Sequence, residues 1–168
     1  INSEPDIHKL VICANCFVKK GDRYLVLKRS EKKRYAPGVI HPIGGKVNLN
    51  ENPYACAIRE VREEAGITVT NLRLRTVFLE IKPNVGDPHN WMIFHFLGDY
   101  ESGEIHKTEE GELMWLTTDE VKKAELFPSV RVFINEILDE KLGTAFSTIE
   151  YDETKQKITK YTKDHLYN

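Results

Sequence analysis

The sequence predicts an α/β fold in which helices cover both faces of a mixed β-sheet. Segments with the two-residue alternation and β-branched content of strands are interspersed with segments that carry helix caps and a 3.6-residue apolar period. The segment NWMIFHFLGDY, residues 90–100, is apolar on both faces, as is typical of a central strand covered from both sides. With 168 residues the chain is long enough for one domain with its own core.

The N-terminal part predicts a hairpin followed by a glycine-rich loop. Residues 9–30, KLVICANCFVKKGDRYLVLKRS, contain two strand-like runs on either side of a turn at Gly21 and Asp22. Residues 31–46 are rich in glycine and proline, which favours loop and short strand ending in a tight turn at Gly44 and Gly45.

The next segment predicts a helix with both ends marked. Asn52 is suited to the N-cap and Pro53 to the first helical position. Gly66 is suited to the position just past the end, with Ile67 closing the C-cap through an apolar contact. The helix is therefore expected from about Pro53 to Ala65.

The rest of the chain predicts three strands and two helices. Residues 67–81 and 90–100 read as long strands, and GELMWL, residues 111–116, reads as a short one. A capped helix is expected to begin near Thr118, and a second helix to span PSVRVFINEILDEKL, residues 128–142.

The chain is predicted to divide into a domain, residues 1–142, and a C-terminal extension, residues 143–168. The extension alternates polar and apolar residues but contains few apolar side chains. A marginal hairpin and a disordered tail are both open interpretations of this segment.

Composition excludes several function classes. The 24 basic and 26 acidic side chains give a net charge of -2, which provides no extended positive field for a nucleic acid polymer. A partner that carries phosphate must therefore be held locally. No apolar run approaches the roughly 18 residues that a membrane span needs. The first residues, INSEPDIHKL, lack the pattern of a signal peptide, so a cytoplasmic location is expected.

The cysteines are not expected to form a disulfide or metal framework. Their number is three, which is odd. Cys13 and Cys16 form a C-x-x-C in a segment that reads as a strand, where residues three apart point to opposite faces. Buried thiols without a chemical role are the favoured interpretation.

The predicted helix carries three acids on one face. With 100° per residue, Glu60, Glu63 and Glu64 share an arc of about 100° beside the apolar stripe that would pack on the sheet. Like charges at this spacing repel, which either raises the pKa of a carboxyl group or calls for a cation between them. Hard oxygen ligands suit Mg²⁺ or Mn²⁺. The alternative is a solvated acidic surface.

The spacing around this helix resembles a known motif. Gly45, then Glu51, then the run from Arg59 to Ile67, REVREEAGI, matches every specified position of the Nudix box, G-x5-E-x7-R-E-U-x-E-E-x-G-U, where U is bulky and apolar. The box is a strong signal because its positions have fixed spacing. The order of the surrounding elements is similar to that of the family's α/β/α sandwich.

The resemblance implies hydrolysis of a nucleoside diphosphate linked to another group, with Mg²⁺ as cofactor. It implies that Glu60, Glu63 and Glu64 bind the metal, with Glu60 or Glu63 orienting the attacking water and the carbonyl of Gly45 also facing the metal. Arg59 would hold the box carboxylates in position, and Glu51 would support them.

Members of the MutT type often carry an additional metal-binding glutamate before the strand that ends in Trp. By that resemblance Glu110 is the favoured residue in KTEEGELMWL, with Glu109 second, and Glu112 is also available. The alternative is a solvated loop.

Substrate contacts are predicted for side chains that can stack on a base or bind phosphate. The aromatic candidates are Tyr35, Phe78, Phe127 and Trp91, and the basic candidates are Arg34, Lys46 and Arg29. The alternative is that the aromatic residues pack in the core and the basic ones are solvated. His89 lies in a loop where it could act as a base, whereas His95 lies in an apolar strand and is expected in the core.

The expected reaction is MutT-like hydrolysis of a nucleoside triphosphate to a monophosphate and pyrophosphate, with an oxidised purine as one candidate substrate. Two departures from the MutT pattern weaken the purine assignment: Ile43 precedes the glycine pair where proline is common, and LFPSV replaces the asparagine before the last helix. ADP-ribose, a nucleotide sugar or a dinucleoside polyphosphate are alternative substrates. A nucleotide-binding module without catalysis is the alternative of another class. The protein is expected to be a monomer or homodimer.

Overall fold

The computed structural model describes residues 7–166, which form ten strands and three helices. In chain order the elements are β1 (Leu10–Lys20), β2 (Arg23–Arg29), β3 (Ile40–His41), β4 (Ile43–Lys46), α1 (Pro53–Ala65), β5 (Ile67–Ile81), β6 (Asn90–Gly103), β7 (Gly111–Thr117), α2 (Thr118–Lys123), α3 (Pro128–Leu138), β8 (Thr144–Tyr151), β9 (Ile158–Tyr161) and β10 (Asp164–Leu166). Within this part of the chain, none of the helices is long and apolar enough to cross a membrane.

The strands form one mixed sheet. The order is β10-β8-β5-β6-β1-β2-β3, with β4 paired to β1, β7 to β2 and β9 to β8. The β1–β6 and β5–β8 pairs are parallel, whereas β5–β6 and β1–β2 are antiparallel. The apolar strand β6 lies between β5 and β1, which confirms its predicted central position.

Two apolar clusters cover the opposite faces of the sheet. Along β1, Phe17 belongs to the cluster that contains α3, whereas its neighbours Cys16 and Val18 belong to the cluster that contains α1. Adjacent residues of a strand point to opposite faces, so α1 and α3 lie on opposite sides. The predicted α/β sandwich with a mixed central sheet is confirmed.

Most predicted elements agree with the structure, and the differences are at element ends. Helix α3 stops at Leu138 rather than continuing to Leu142. The buried guanidinium of Arg75 on β5 donates hydrogen bonds to the carbonyls of Glu136, Ile137, Asp139 and Leu142, at 2.8–3.3 Å. A tertiary contact therefore satisfies the last carbonyls of the helix in place of another helical turn.

The segment after residue 142 supplies strands to the same sheet. β8 pairs in parallel with β5, and Ala145 and Ile149 are fully buried in the α3-side cluster. β9 then returns antiparallel to β8, and β10 pairs with the start of β8. The domain boundary after residue 142 stays a prediction.

The two cysteines of the C-x-x-C are free and buried in β1, as expected. Burial is the main cause that raises the pKa of each thiol to about 12. These thiols are therefore protonated at neutral pH.

Candidate active site

Helix α1 carries the acidic residues, and its ends are fixed by the residues that mark them in the sequence. The Asn52 side chain accepts a hydrogen bond from the N–H of Ala55 at 2.9 Å, and Pro53 begins the helix. Gly66 has the left-handed φ of 72°, and its N–H donates to the carbonyl of Arg62. The residues that α1 buries are Cys56, Ala57, Val61 and Ala65. The acidic face is therefore held at the edge of a packed helix.

Arg59 is the centre of a network of carboxylates. Its guanidinium donates two hydrogen bonds to Glu51, from Nε to Oε1 at 2.8 Å and from Nη2 to Oε2 at 3.0 Å. Its Nη1 donates to Glu60 at 2.6 Å and to Glu63 at 3.0 Å, and Nη2 also donates to the carbonyl of Lys46 at 3.3 Å. The bidentate pair fixes the guanidinium plane, so Arg59 holds Glu60 and Glu63 close together despite their like charges.

Glu51 anchors this network from the loop before α1. The hydrogen bonds from Arg59 are the largest cause that lowers the pKa of Glu51 to about 2, and the N–H of Asn48 adds to the shift. Glu51 therefore remains ionised across the physiological pH range, which keeps Arg59 in place.

Gly45 in β4 lies directly against Glu60. A Cβ atom at position 45 would stand 2.6–2.9 Å from the carboxyl atoms of Glu60, which is closer than real Cβ contacts. A larger residue at position 45 would therefore displace the Glu60 carboxylate from its place against the backbone. The carbonyl of Gly45 also accepts a long hydrogen bond from the Cys56 thiol, with 3.7 Å between sulfur and oxygen.

Glu64 is an acid of the cluster whose pKa is raised. Burial, followed by the charges of Glu60 and Glu110, raises the pKa of Glu64 to about 7, and the N–H of Gly44 acts in the opposite direction. Glu110, in the loop before β7, is also paired with Lys33 at 2.6 Å. The predicted additional glutamate therefore acts electrostatically on the α1 cluster while forming its own ion pair.

The two other glutamates predicted as candidates lie in the loop before β7, for Glu109, and in β7 itself, for Glu112. Glu109 and Glu112 are exposed, and Glu112 lines a cavity of about 360 Å³. The other residues around this cavity are Ile105, His106, Lys107, Thr108, Gly111 and Leu113.

The donor atoms fit a divalent cation in type and charge. The cluster consists of hard carboxylate oxygens beside a glycine carbonyl. The raised pKa of Glu64 means that Arg59 does not neutralise the whole negative charge of the cluster. In residues 7–166, however, no three His, Cys, Asp or Glu side chains stand close enough together to hold a metal ion. Coordination would therefore require a carboxylate such as Glu63, whose side chain is 60% exposed, to turn away from Arg59.

A group of aromatic and basic side chains lies between the glycine-rich loop and the start of α3. The rings of Tyr35 and Phe127 are stacked, with centroids 5.6 Å apart and an interplanar angle of 25°. The ring of His41 meets Phe127 edge-on at 4.9 Å, and the guanidinium of Arg29 lies 6.0 Å from the Phe127 centroid. The structure thus brings together two of the predicted substrate-binding residues, Tyr35 and Phe127, with a cation beside them.

The remaining predicted substrate-binding residues are distributed differently. The Lys46 ammonium lies 5.7 Å from the centroid of the Trp91 ring, and Lys46 directly follows Gly45 in β4. Arg34 is exposed in the loop after β2, and His89 is exposed in the loop after β5, where it pairs with Asp87.

The prediction for Phe78 requires correction. Its side chain is fully buried and packs against Phe133 and His95, with centroids 4.8 and 5.0 Å apart. A ring enclosed on all sides offers no face to a base, so Phe78 is a core residue in this structure. The expectation that His95 lies in the core is confirmed, since it is 1% exposed.

Sequence analysis missed a buried carboxyl group on the same strand. Glu80 is 5% exposed, and its Oε1 accepts a hydrogen bond from the Tyr151 hydroxyl at 3.0 Å. The available signal was an acidic residue within the apolar run VFLEI, residues 77–81. Its partner lies 71 residues away in the chain, so local patterns could not identify the pair.

Comparison with known proteins identifies the family. The model of the NUDIX domain matches residues 8–137. The Bacillus subtilis protein described as uncharacterized Nudix hydrolase YvcI is 32% identical over 117 residues, which are 68% of this chain and 70% of YvcI. The NAD-capped RNA hydrolase NudC of Photobacterium profundum is 35% identical over 135 residues, which are 75% of this chain but only 45% of NudC.

A solved structure agrees with these relationships. The MutT protein from Bacillus halodurans superimposes with a TM-score of 0.78 at 26% identity, and the match covers 92% of this chain and 98% of that one. The fold, the complete box from Gly45 in β4 through α1 to Ile67 and these relatives together show that the chain belongs to the Nudix family and is a hydrolase of pyrophosphate bonds.

Proposed function

We propose that the protein hydrolyses nucleoside triphosphates to nucleoside monophosphates and pyrophosphate, with Mg²⁺ as cofactor. The observation that carries the proposal is the carboxylate cluster on α1, beside Gly45 of β4, in which Arg59 holds Glu60 and Glu63, and Glu64 has a pKa raised to about 7. The complete box and the structural likeness to a MutT protein support it.

The residues of the cluster would have distinct roles. Glu60, Glu63, Glu64 and the carbonyl of Gly45 would hold the metal, with Glu110 nearby as a further acid. A bound divalent ion neutralises phosphate charge and lowers the pKa of water. Arg59, fixed by Glu51, would keep Glu60 and Glu63 at the distance needed to orient the attacking water.

The aromatic and basic side chains would hold the nucleotide. Tyr35 and Phe127 form a stacked surface on which a base could pack, and Arg29 and Lys46 offer positive charge for the phosphates. Arg34, which is exposed in the adjoining loop, could add to this charge.

A second candidate function is hydrolysis of the pyrophosphate bond in nucleotides other than triphosphates. ADP-ribose, nucleotide sugars and dinucleoside polyphosphates contain the same type of pyrophosphate bond. The relatives named NAD-capped RNA hydrolase favour a substrate of this kind, in which two larger groups flank the bond. Within the first candidate function, an oxidised purine triphosphate is one candidate substrate.

The test is a product analysis over a substrate panel. The protein would be incubated with Mg²⁺ and the common nucleoside triphosphates, 8-oxo-dGTP, ADP-ribose, UDP-glucose, diadenosine tetraphosphate and NAD-capped RNA, with products separated by ion-exchange chromatography. We expect monophosphate and pyrophosphate from triphosphates. Preferential cleavage of ADP-ribose, UDP-glucose, diadenosine tetraphosphate or capped RNA would instead establish the second candidate.

Matched variants connect the activity to the cluster. Glu63→Gln should abolish turnover, whereas Glu101→Gln, an exposed acid on β6, should leave it unchanged. Equal activity of the wild type and Glu63→Gln would contradict the assignment of the site.

A further inference from the structure

A buried carboxyl group lies on the sheet face that α3 covers. Glu80 on β5 lies two residues after Phe78, so the two side chains point to the same face. Its carboxyl group accepts a hydrogen bond from the Tyr151 hydroxyl at 3.0 Å, and the hydroxyl of Ser129, which follows Pro128 at the start of α3, acts against the rise in the pKa of Glu80. Both hydroxyl groups are neutral. Burial of this acid therefore costs folding free energy, because no cation compensates its charge.

Glu80 is connected to the candidate active site across the sheet. In the β5–β6 register, Glu80 lies directly opposite Trp91, so the two side chains share one face. The Lys46 ammonium lies 5.7 Å from the centroid of the Trp91 ring. Because Lys46 follows Gly45 in β4, its side chain projects from the face of the sheet opposite to the Gly45 and Glu60 contact. We name Lys46, Trp91 and Glu80 the polar strip; their side chains lie on the α3 face of the sheet, and the strip begins at the residue that follows Gly45 in β4.

The Glu80 end of this strip acts electrostatically on the stacked aromatic pair. Burial and then the charge of Glu80 raise the pKa of Tyr35, and Glu80 also raises the pKa of Tyr151. The phenol of Tyr35 therefore lies within electrostatic reach of the Glu80 carboxyl, while its ring stacks on Phe127. Trp91 is thus the aromatic residue beside Glu80 in the sheet, and the charge of Glu80 also acts on Tyr35 of the stacked pair.

Resting on the proposed nucleotide hydrolysis, we propose that Glu80 is a specificity-determining residue that hydrogen-bonds the polar edge of the substrate's nucleobase. The phosphates would lie at the Lys46 end of the polar strip, and the base would stack on an aromatic ring beside Glu80. This arrangement matches the composition of small-molecule sites, which combine aromatic surface with a few polar groups.

The protonation state of Glu80 sets what it can recognise. Burial raises its pKa, which favours the neutral carboxylic acid. That form presents one O–H donor beside one acceptor, which is complementary to a base edge with an adjacent acceptor and donor. Glutamine presents the same donor and acceptor pair, whereas leucine of similar size presents neither.

The experiment compares kcat/KM for ATP, GTP, CTP and UTP in the wild type, Glu80→Gln and Glu80→Leu. We expect the ratio of kcat/KM between the best and the worst nucleotide to fall about tenfold or more in Glu80→Leu. This is the size of effect that loss of a bidentate contact to a base produces. Glu80→Gln should retain most of the wild-type ratio. Inhibition by inorganic tripolyphosphate, which has no base, should be unchanged in both variants.

A matched control separates specificity from folding. Glu136→Gln removes another buried carboxyl on the α3 side, one that pairs with Lys163 at 2.6 Å, and should leave the nucleotide ratios unchanged. Tyr151→Phe removes one hydroxyl partner of Glu80 and should shift the ratios in the same direction as Glu80→Leu. This milder variant serves as the test if Glu80→Leu does not fold.

Failure of this inference and failure of the proposed function give different results. Unchanged nucleotide ratios in a folded Glu80→Leu protein, while the wild type hydrolyses triphosphates, would overturn the role of Glu80. Absence of hydrolysis by the wild type would contradict the proposed function instead. Calorimetric dissociation constants of the four nucleoside monophosphates, compared between the wild type and Glu80→Leu, would then decide the role of Glu80: equal base preference overturns it.

Discussion

At the scale of single residues, the clearest feature is how one cation organises several acids. Arg59 contacts Glu51, Glu60 and Glu63 within 2.6–3.0 Å. The planar guanidinium can do this because its five N–H groups have fixed directions, which an ammonium group lacks. Arg59 is therefore a positioning residue, and its contribution depends on geometry as well as charge.

Replacing Arg59 by lysine should lower kcat roughly 10- to 100-fold, the range seen when an outer partner of metal ligands is lost. The charge is kept, but the bidentate contact with Glu51 is lost, so Glu60 and Glu63 are no longer held in one arrangement. Steady-state kinetics on the preferred substrate measures this effect. Arg62→Lys, an exposed residue of the same helix, is the control, and an equal loss in both variants would contradict the prediction.

A second residue-scale feature is the buried histidine of β6. His95 is hydrogen-bonded to Thr76 at 3.0 Å and to Asn15 at 3.3 Å. Burial, with a smaller effect of His41, lowers the pKa of His95 to about 3. An unfolded histidine titrates near pH 6.5. Between about pH 6.5 and pH 3 the unfolded chain therefore binds a proton that the folded protein does not.

The free energy of unfolding should consequently fall as the pH decreases from 7 to 5, with His95 contributing about 2 kcal/mol of the loss. His95→Gln should be less stable than the wild type at pH 7 but should lack this contribution. Urea unfolding at pH 7 and pH 5 measures the difference. The same pH dependence in both proteins would show that His95 is not the responsible group.

At the scale of elements, helix α1 illustrates how a short sequence pattern fixes a local structure. Its N-cap, first-turn proline and left-handed glycine all lie where the sequence predicts them. These signals act over three or four residues, so they do not depend on the rest of the fold. The cap matters for chemistry because the loop it closes contains Glu51.

Asn52→Ala should lower the free energy of unfolding by about 1 kcal/mol, since the N–H of Ala55 loses its acceptor. Asn52→Asp retains an acceptor oxygen and should have nearly wild-type stability. Urea denaturation of the three proteins tests this. Equal destabilisation by both substitutions would mean that the side-chain cap is not the cause.

At the scale of the whole molecule, the C-terminal segment is packed into the sheet. β8 borders β5 along six residue pairs, from Thr76 and Ala145 to Ile81 and Glu150. It also carries Tyr151, which is hydrogen-bonded to Glu80. Removal of β8 would expose the edge of β5 and the apolar face beneath α3.

A protein truncated after residue 142 should therefore lose its cooperative thermal transition, whereas one truncated after residue 152 should keep it with a lower Tm. The shorter protein lacks β8, and the longer one lacks only β9 and β10. Differential scanning calorimetry distinguishes the two. A cooperative transition near the wild-type Tm in the shorter protein would instead support the predicted domain boundary.

The sequence by itself determined the order of most strands and helices, the limits of α1, the acidic face of that helix and the family. These features depend on caps, periodicity and fixed spacing within short segments. The interactions behind these signals join residues that are close in the sequence, so they do not require knowledge of the fold. The predictions were less successful for Phe78, which is in the core, and for the end of α3, which Arg75 sets from another strand.

Only the tertiary structure decided which distant residues meet. Tyr35 stacks on Phe127, and Glu80 meets Tyr151, because strand pairing brings together segments that are 92 and 71 residues apart. It also decided the charge balance of the cluster, since the pKa of Glu64 depends on burial and on Glu110 from another loop. Burial and pairwise charge are properties of the folded arrangement, and local sequence patterns do not contain them.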